Sequence, residues 1–214
     1  MRYLIVCGGK IDKEFGLNEI KTDGIDAIIA ADSGMDFLYE NGVTPDIIVG
    51  DFDSTTTNAL EYFERKGQAE IHRLNPVKDD TDTEYAIRLA IREGARSIVM
   101  LGATGSRIDH VLGNISLLGI GLESGTDISI IDTNNRIRMA DKPVTIEKSA
   151  QYGRFVSLIA LTDDNEVSLK GFKYPVTDYS FDRFTSLGIS NEIVDDHALI
   201  DIHRGKFIII ESKD

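Results

Sequence analysis

Short apolar runs recur along the first 132 positions, and most of them stop at glycine or aspartate. The run 3–7 stops at Gly8-Gly9, the run 27–31 at Asp32-Ser33-Gly34, and the run 46–49 at Gly50-Asp51-Phe52-Asp53. Continuous apolar stretches of this length, bounded by turn residues, predict strands buried on both faces. A weaker strand is predicted at 71–74, and two strong ones at 97–101 and 128–131. Between them the spacing becomes helical. Residues 35–40 form a short helix closed by Asn41-Gly42, and another begins at 59–63 behind the cap-forming cluster 54–57. Thr81 and Glu84 match a capping box, opening a helix with Ala86, Ile87, Ala90 and Ile91 on one face. A last helix covers 109–122. Repeated strand–helix units predict a mostly parallel sheet flanked by helices.

After Asp132-Thr133-Asn134-Asn135 the pattern changes. Residues 143–148, 154–161, 167–172, 198–202 and 207–210 read as strands, the last entered through the turn Arg204-Gly205-Lys206. No useful helical period remains. The expectation is an α/β domain over 1–132 and an all-β sandwich, jelly-roll-like, over 133–214.

Composition narrows the function classes. A chain of 214 residues suffices for one large or two modest domains. Its net charge of −13 argues against a nucleic-acid or anionic-membrane surface. The single Cys7 cannot pair within the chain, which fits a reducing compartment, and its apolar neighbours mark it as a small core residue. The first apolar run is too short for a secretory signal and no run reaches membrane-span length. The expectation is a soluble, cytoplasmic protein.

The candidate chemistry lies at strand ends. Asp32 follows the second strand, Asp51 and Asp53 the third, Asp79, Asp80 and Asp82 the fourth, and Asp109 the fifth. In open α/β sheets ligands bind outside the carboxyl ends of the strands. If the backbone stays extended, Asp51 and Asp53 point to one side and can share a cation; the bland alternative is that they cap a turn and a helix. Asp82 also suits the first turn of its helix through the macrodipole. Gly102-Ala103-Thr104-Gly105-Ser106-Arg107 is a glycine-rich turn into a helix N-terminus, favourable to phosphate, though it matches neither common nucleotide fingerprint. Arg107 is either a phosphate fork or half of a surface ion pair, and His110 either an acid–base group or a structural donor. Neither a zinc-ligand spacing nor a covalent nucleophile motif is present. Together these residues suggest metal-assisted transfer of a phosphate-containing group, for which Mg²⁺ is the natural ion.

The sequence resembles the bacterial thiamine pyrophosphokinases over nearly its whole length. The resemblance rests on Asp32-Ser33-Gly34, Gly50-Asp51-Phe52-Asp53-Ser54, Lys78-Asp79-Asp80-Thr81-Asp82-Thr83-Glu84 and Gly105-Ser106-Arg107-Ile108-Asp109-His110. In the β-rich part it rests on residues 169–175 and 188–192. It implies transfer of the diphosphoryl unit of ATP to the hydroxyethyl group of thiamine, with release of AMP, by a homodimer that binds thiamine between chains. Asp32, Asp51, Asp53, Asp82 and Asp109 would surround Mg²⁺ and the triphosphate, with Asp51, Asp53, Asp79 and Asp82 serving catalysis. Asp32, Thr104, Gly105, Ser106, Arg107 and Asp109 would hold ATP. Asp79 would lie near the acceptor hydroxyl, and Ser190 and Asn191 would contact thiamine. The general base is Asp51 or Asp79. Two departures stand out: the chain has no Trp to stack on the vitamin, and Tyr85 stands where eukaryotic relatives carry Lys. Competing readings are a pyrophosphokinase for another alcohol such as a hydroxymethylpterin, a metal-dependent phosphoesterase, and a nucleotide-binding module without turnover.

Overall fold

The computed structural model describes residues 1–52, 58–75 and 80–214. Asp53, Asp79, the expected cap cluster 54–57 and most of the loop 75–80 lie outside the described residues. The chain divides into two compact units, Met1–Thr133 and Asn134–Asp214.

The first unit alternates strand and helix: β1 (Arg2–Val6), α1 (Lys13–Ile20), β2 (Ala27–Ala31), α2 (Gly34–Glu40), β3 (Ile47–Gly50), α3 (Ala59–Lys66), β4 (Glu70–Arg73), α4 (Asp82–Arg92), β5 (Ser97–Leu101), α5 (Ile108–Ser124) and β6 (Asp127–Ile131). Its six strands pair in parallel in the order β6-β5-β1-β2-β3-β4. The inner strands are buried, and Leu4, Val6, Ala30, Ile48 and Leu101 pack against Met35, Leu38 and Phe63 from the helices. β4 is the sheet edge. Its Glu70, His72 and Arg73 explain the weak signal in sequence, because a charged edge resists pairing with another chain.

α1 was not expected. Asp12 caps it by accepting from Phe15 N at 2.9 Å, but Gly16 in its middle lowers helix propensity. The glycine answers a packing need: a Cβ there would lie 2.6 Å from Ile11 Cγ2 and 2.7 Å from Phe37 Cζ. At α4 only half of the capping box forms. Thr81 Oγ1 accepts from Glu84 N at 3.2 Å, while the Glu84 carboxylate accepts from Arg88 at 2.9 and 2.7 Å.

The second unit contains β7 (Asn135–Ala140), β8 (Val144–Glu147), β9 (Phe155–Ala160), β10 (Glu166–Lys170), β11 (Val176–Tyr179), β12 (Asn191–Glu192), β13 (His197–Arg204) and β14 (Phe207–Ser212). They form two antiparallel sheets, β12-β9-β14-β7 and β11-β10-β13-β8. Alternate residues of both sheets, among them Val156, Leu158, Leu169, Ile200, Phe207 and Ile209, fill one core. The expected fold class, a parallel α/β sheet followed by a β-sandwich, is the one observed. On β14, opposite Arg136 at the start of β7, Glu211 is fully buried among cations. It accepts from Arg136 at 2.8 and 2.7 Å, from Arg138 at 2.9 Å and from Tyr152 N at 2.9 Å. Among the described residues no helix is long and apolar enough to cross a membrane.

Candidate active site

The strand order fixes where a ligand can enter. From β1 the chain steps outward through β2, β3 and β4, then returns to place β5 and β6 on the other side of β1. Loops leaving β1 and β5 therefore diverge and open a crevice at their carboxyl ends. A cleft of about 1000 Å³ lies there, with Gly9, Asp32, Asp82, Thr104, Arg107 and Asp132 on its walls. Gly9 keeps the floor close. Its N–H donates to Gly102 O at 2.9 Å, and a Cβ on Gly9 would stand 2.3 Å from that same oxygen.

On one side of this region, carboxylate oxygens of Asp32, Asp51 and Asp82 lie within 4.8 Å of one another. Each comes from a different segment. Asp32 ends β2 in the left-handed region at φ 49°, and its N–H donates to Val49 O at 2.8 Å, fixing it to β3. Asp51 follows β3, and Asp82 opens α4. Phe52 also has a left-handed backbone, with φ 64°. That corrects one premise: the backbone is not extended at Phe52, the residue between Asp51 and Asp53, and extended backbone was what the i, i+2 alignment assumed. A non-glycine residue held in this region is strained, and such strain concentrates at functional sites. Three carboxylates this close repel one another by about 3 kcal/mol per ionised pair at an effective dielectric of ~20. A divalent cation between them reverses the sign of that interaction.

Asp109 is not among the three. It sits in the first turn of α5, about two-thirds exposed, and accepts from Arg107 at 2.6 and 3.3 Å. The hydrogen bond from Arg107 holds its carboxyl below the usual range, and the guanidinium is raised in turn. An ion pair this exposed is worth little, so breaking it would cost the fold little. The loop that carries Arg107 is tied down on several sides. Asn114 Nδ2 donates to Ala103 O at 2.8 Å, and Thr104 Oγ1 donates to Asp132 Oδ2 at 2.8 Å. Gly105 and Ser106 line the cleft beside it. Cys7 is buried under the cleft, where desolvation pushes its thiol up to about 12 despite a 3.8 Å hydrogen bond from Thr83. It is a core thiol, inert at neutral pH.

In the second unit, Ser190 takes φ 60° and its N–H donates to Ser157 Oγ at 3.0 Å. Asn191 is buried and its amide is occupied by main chain. Oδ1 accepts from Tyr174 N at 3.0 Å and Glu192 N at 2.9 Å, and Nδ2 donates to Tyr174 O at 2.9 Å. Its side chain therefore shapes the segment around Tyr174.

Sequence reasoning missed Lys10, Asn114 and Asp132, which all line the cleft. Asp132 had a usable signal: it follows a strand as directly as Asp32 does, but sits where the pattern changes and reads as part of a connection.

Two family models match this chain. "Thiamin pyrophosphokinase, catalytic domain" covers residues 21–130, and "Thiamin pyrophosphokinase, vitamin B1 binding domain" covers residues 143–207. The chain belongs to the thiamine pyrophosphokinase family. A thiamine pyrophosphokinase of Bacillus subtilis (strain 168) is 35% identical over 188 residues, 87% of each chain. The crystal structure of thiamine pyrophosphokinase from Bacillus subtilis superposes with a TM-score of 0.89 at 32% identity, covering all of both chains. That of thiamin pyrophosphokinase from Geobacillus thermodenitrificans gives 0.86 at 28% identity, covering 100% of this chain and 98% of that one. The matched catalytic segment contains Asp32, Asp51, Asp82 and the glycine-rich loop, and ends two residues before Asp132.

Proposed function

We propose that this chain is a thiamine diphosphokinase, moving the diphosphoryl group of ATP to the hydroxyethyl oxygen of thiamine. The bond from that oxygen to the β-phosphorus forms, the bond from the β-phosphorus to its bridge with the α-phosphate breaks, and AMP leaves. The hydroxyl proton passes to a carboxylate, that of Asp51 or Asp79. The observation that carries the reading is the meeting of Asp32, Asp51 and Asp82 within 4.8 Å beside a glycine-rich loop, at the switch point of a parallel sheet.

Transfer to a weakly acidic alcohol needs in-line positioning and charge neutralisation more than covalent help. The three half-buried carboxylates offer hard oxygen donors from separate segments, a set that suits Mg²⁺ with its remaining positions left to phosphate and water. Asp32, Asp51 and Asp82 would hold the ion, and the resemblance adds Asp53 to that set; bound there, it would neutralise phosphate charge. Asp109 contributes through Arg107, which it holds in place until a phosphate oxygen replaces it. The loop 104–106 meets phosphate with main-chain N–H groups at the start of α5. On the acceptor side, Ser190 leads into Asn191, which holds the backbone of Tyr174; the exposed Tyr174 ring is a candidate for the stacking surface that Trp supplies in some relatives. A homodimer is part of this reading. Phe184, Leu187 and Ile189 are 95%, 60% and 48% exposed, the kind of apolar group that a partner chain covers. A cytoplasmic location is part of the same reading and fits work on a soluble vitamin and ATP.

Incubation with ATP, Mg²⁺ and thiamine, followed by mass detection, should give thiamine diphosphate and AMP in equal amounts. Release of phosphate without thiamine would make the protein a phosphoesterase. Faster use of a hydroxymethylpterin would reassign the acceptor.

A further inference from the structure

We propose that Asp132 and Thr104 form the acceptor pair for the ribose hydroxyls of the nucleotide, at the end of the cleft away from the three-carboxylate group. The inference rests on the reading that this cleft takes ATP. Its first support is direction. Asp132 follows β6 and Asp32 follows β2, with β5 and β1 between them. Three strand spacings separate the two positions, about 14 Å along the sheet edge. The glycine-rich loop leaves β5, inside that span. A phosphate chain running from the loop to the carboxylates leaves the sugar on the β6 side.

The second support is chemistry. A hydroxyl carries one proton, and Thr104 gives its proton to Asp132 Oδ2 at 2.8 Å. Toward anything else in the cleft the Thr104 oxygen is an acceptor, so its own contact to phosphate must run through main-chain N–H. Asp132 adds a carboxylate, a group that when ionised only accepts. Acceptors beside a negative charge repel phosphate and favour a neutral group with two O–H donors, as in a vicinal diol. The loop holding Thr104 is fixed by the Asn114 bond to Ala103 O at 2.8 Å and the Gly9 bond to Gly102 O at 2.9 Å. The pair is thus preorganised, which makes a missing donor costly.

The test compares ATP with 2′-deoxy-ATP and 3′-deoxy-ATP as substrates of the wild-type enzyme and of Asp132→Asn. The variant keeps an oxygen for Thr104 and removes the charge. In the wild type, loss of at least one hydroxyl should raise KM about tenfold, the usual scale for a hydrogen bond to a charged group. In Asp132→Asn, ATP should bind more weakly and the ratio between ATP and that analogue should fall to within about twofold. Equal use of all three nucleotides by the wild type, or an unchanged ratio in the variant, overturns the proposal. Calorimetric titration with AMP, 2′-deoxy-AMP and 3′-deoxy-AMP reads the same discrimination without turnover. A protein that discriminates in binding but makes no thiamine diphosphate refutes the assigned reaction and leaves this inference standing. Should Asp132→Asn not fold, Thr104→Val, which removes one of the two acceptors, must lower the ratio as well; a ratio equal to wild type refutes the pair.

Discussion

Replacing Glu211 by Gln should destabilise the protein severely without touching the active-site residues. The carboxylate is fully buried and accepts four hydrogen bonds: two from Arg136, one from Arg138 and one from Tyr152 N–H. Glutamine has the same shape, but its amide nitrogen can only donate, so it would face guanidinium and main-chain donors. Removing one partner of a buried ion pair costs about 3–5 kcal/mol. Arg136 and Arg138 remain 27% and 23% exposed, and water reaching them puts the loss near ~3 kcal/mol. If the whole chain unfolds together, that lowers Tm by roughly 6–12 °C; if the β-rich unit melts alone, by roughly 12–24 °C. Urea unfolding followed by circular dichroism, alongside scanning calorimetry, measures both the free energy and the number of transitions. Combining Glu211→Met with Arg136→Leu and Arg138→Leu should restore most of the loss, because apolar replacements of a buried ion cluster are commonly neutral. A loss under ~1 kcal/mol for Glu211→Gln would show that the two arginines are solvated independently, and the reasoning would fail.

Asp51→Asn should lower turnover by at least ~10²-fold, since charge stabilisation at a metal-assisted phosphoryl centre is worth several kcal/mol. Its melting temperature without ligand should stay level or rise, because one repelling carboxylate is gone from the group within 4.8 Å; near wild-type rates at saturating Mg²⁺ would sink the assignment. Arg107→Lys should raise KM for ATP several-fold although charge is kept, because an ammonium cannot form the planar fork; unchanged kinetics would return Arg107 to its ion pair with Asp109. Cys7 should resist alkylation at pH 8 in the native protein and react once denaturant is added. Its thiol is raised from 9.0 to about 12 by burial, so it adds stability below its unfolded value, and that contribution is lost as pH rises from 9 toward 12. A native thiol that labels at the unfolded rate would contradict the burial.

Much of the first unit could be read from its strands because each one is buried on both faces and shows as an unbroken apolar run. Where the signal failed, a tertiary contact had overridden a local preference. α1 is hidden by Gly16, which is there to let Ile11 and Phe37 approach. β7 is hidden by Arg136 and Arg138, whose charges are absorbed by Glu211 more than seventy positions later. At the site, Asp32, Asp51 and Asp82 were all visible as strand-end or helix-start acids, but the left-handed turns at Asp32 and Phe52 were not, since neither residue type advertises a positive φ as glycine does. Asn191 shows the opposite limit: a polar residue in a recognisable motif whose amide is spent on the backbone of Tyr174.

Asp32, Asp51 and Asp82 span fifty positions and meet only after β2, β3 and α4 have docked. An unfolded chain offers no equivalent of that meeting point, so whatever fills it counts toward the folding equilibrium. A ligand at a hundred times its dissociation constant adds ~2.7 kcal/mol to the stability of the native state. Without the ion and the phosphates it faces, the same polypeptide would open more often and be degraded sooner. Substrate supply would thereby set how long each molecule of the enzyme survives as well as how fast it works.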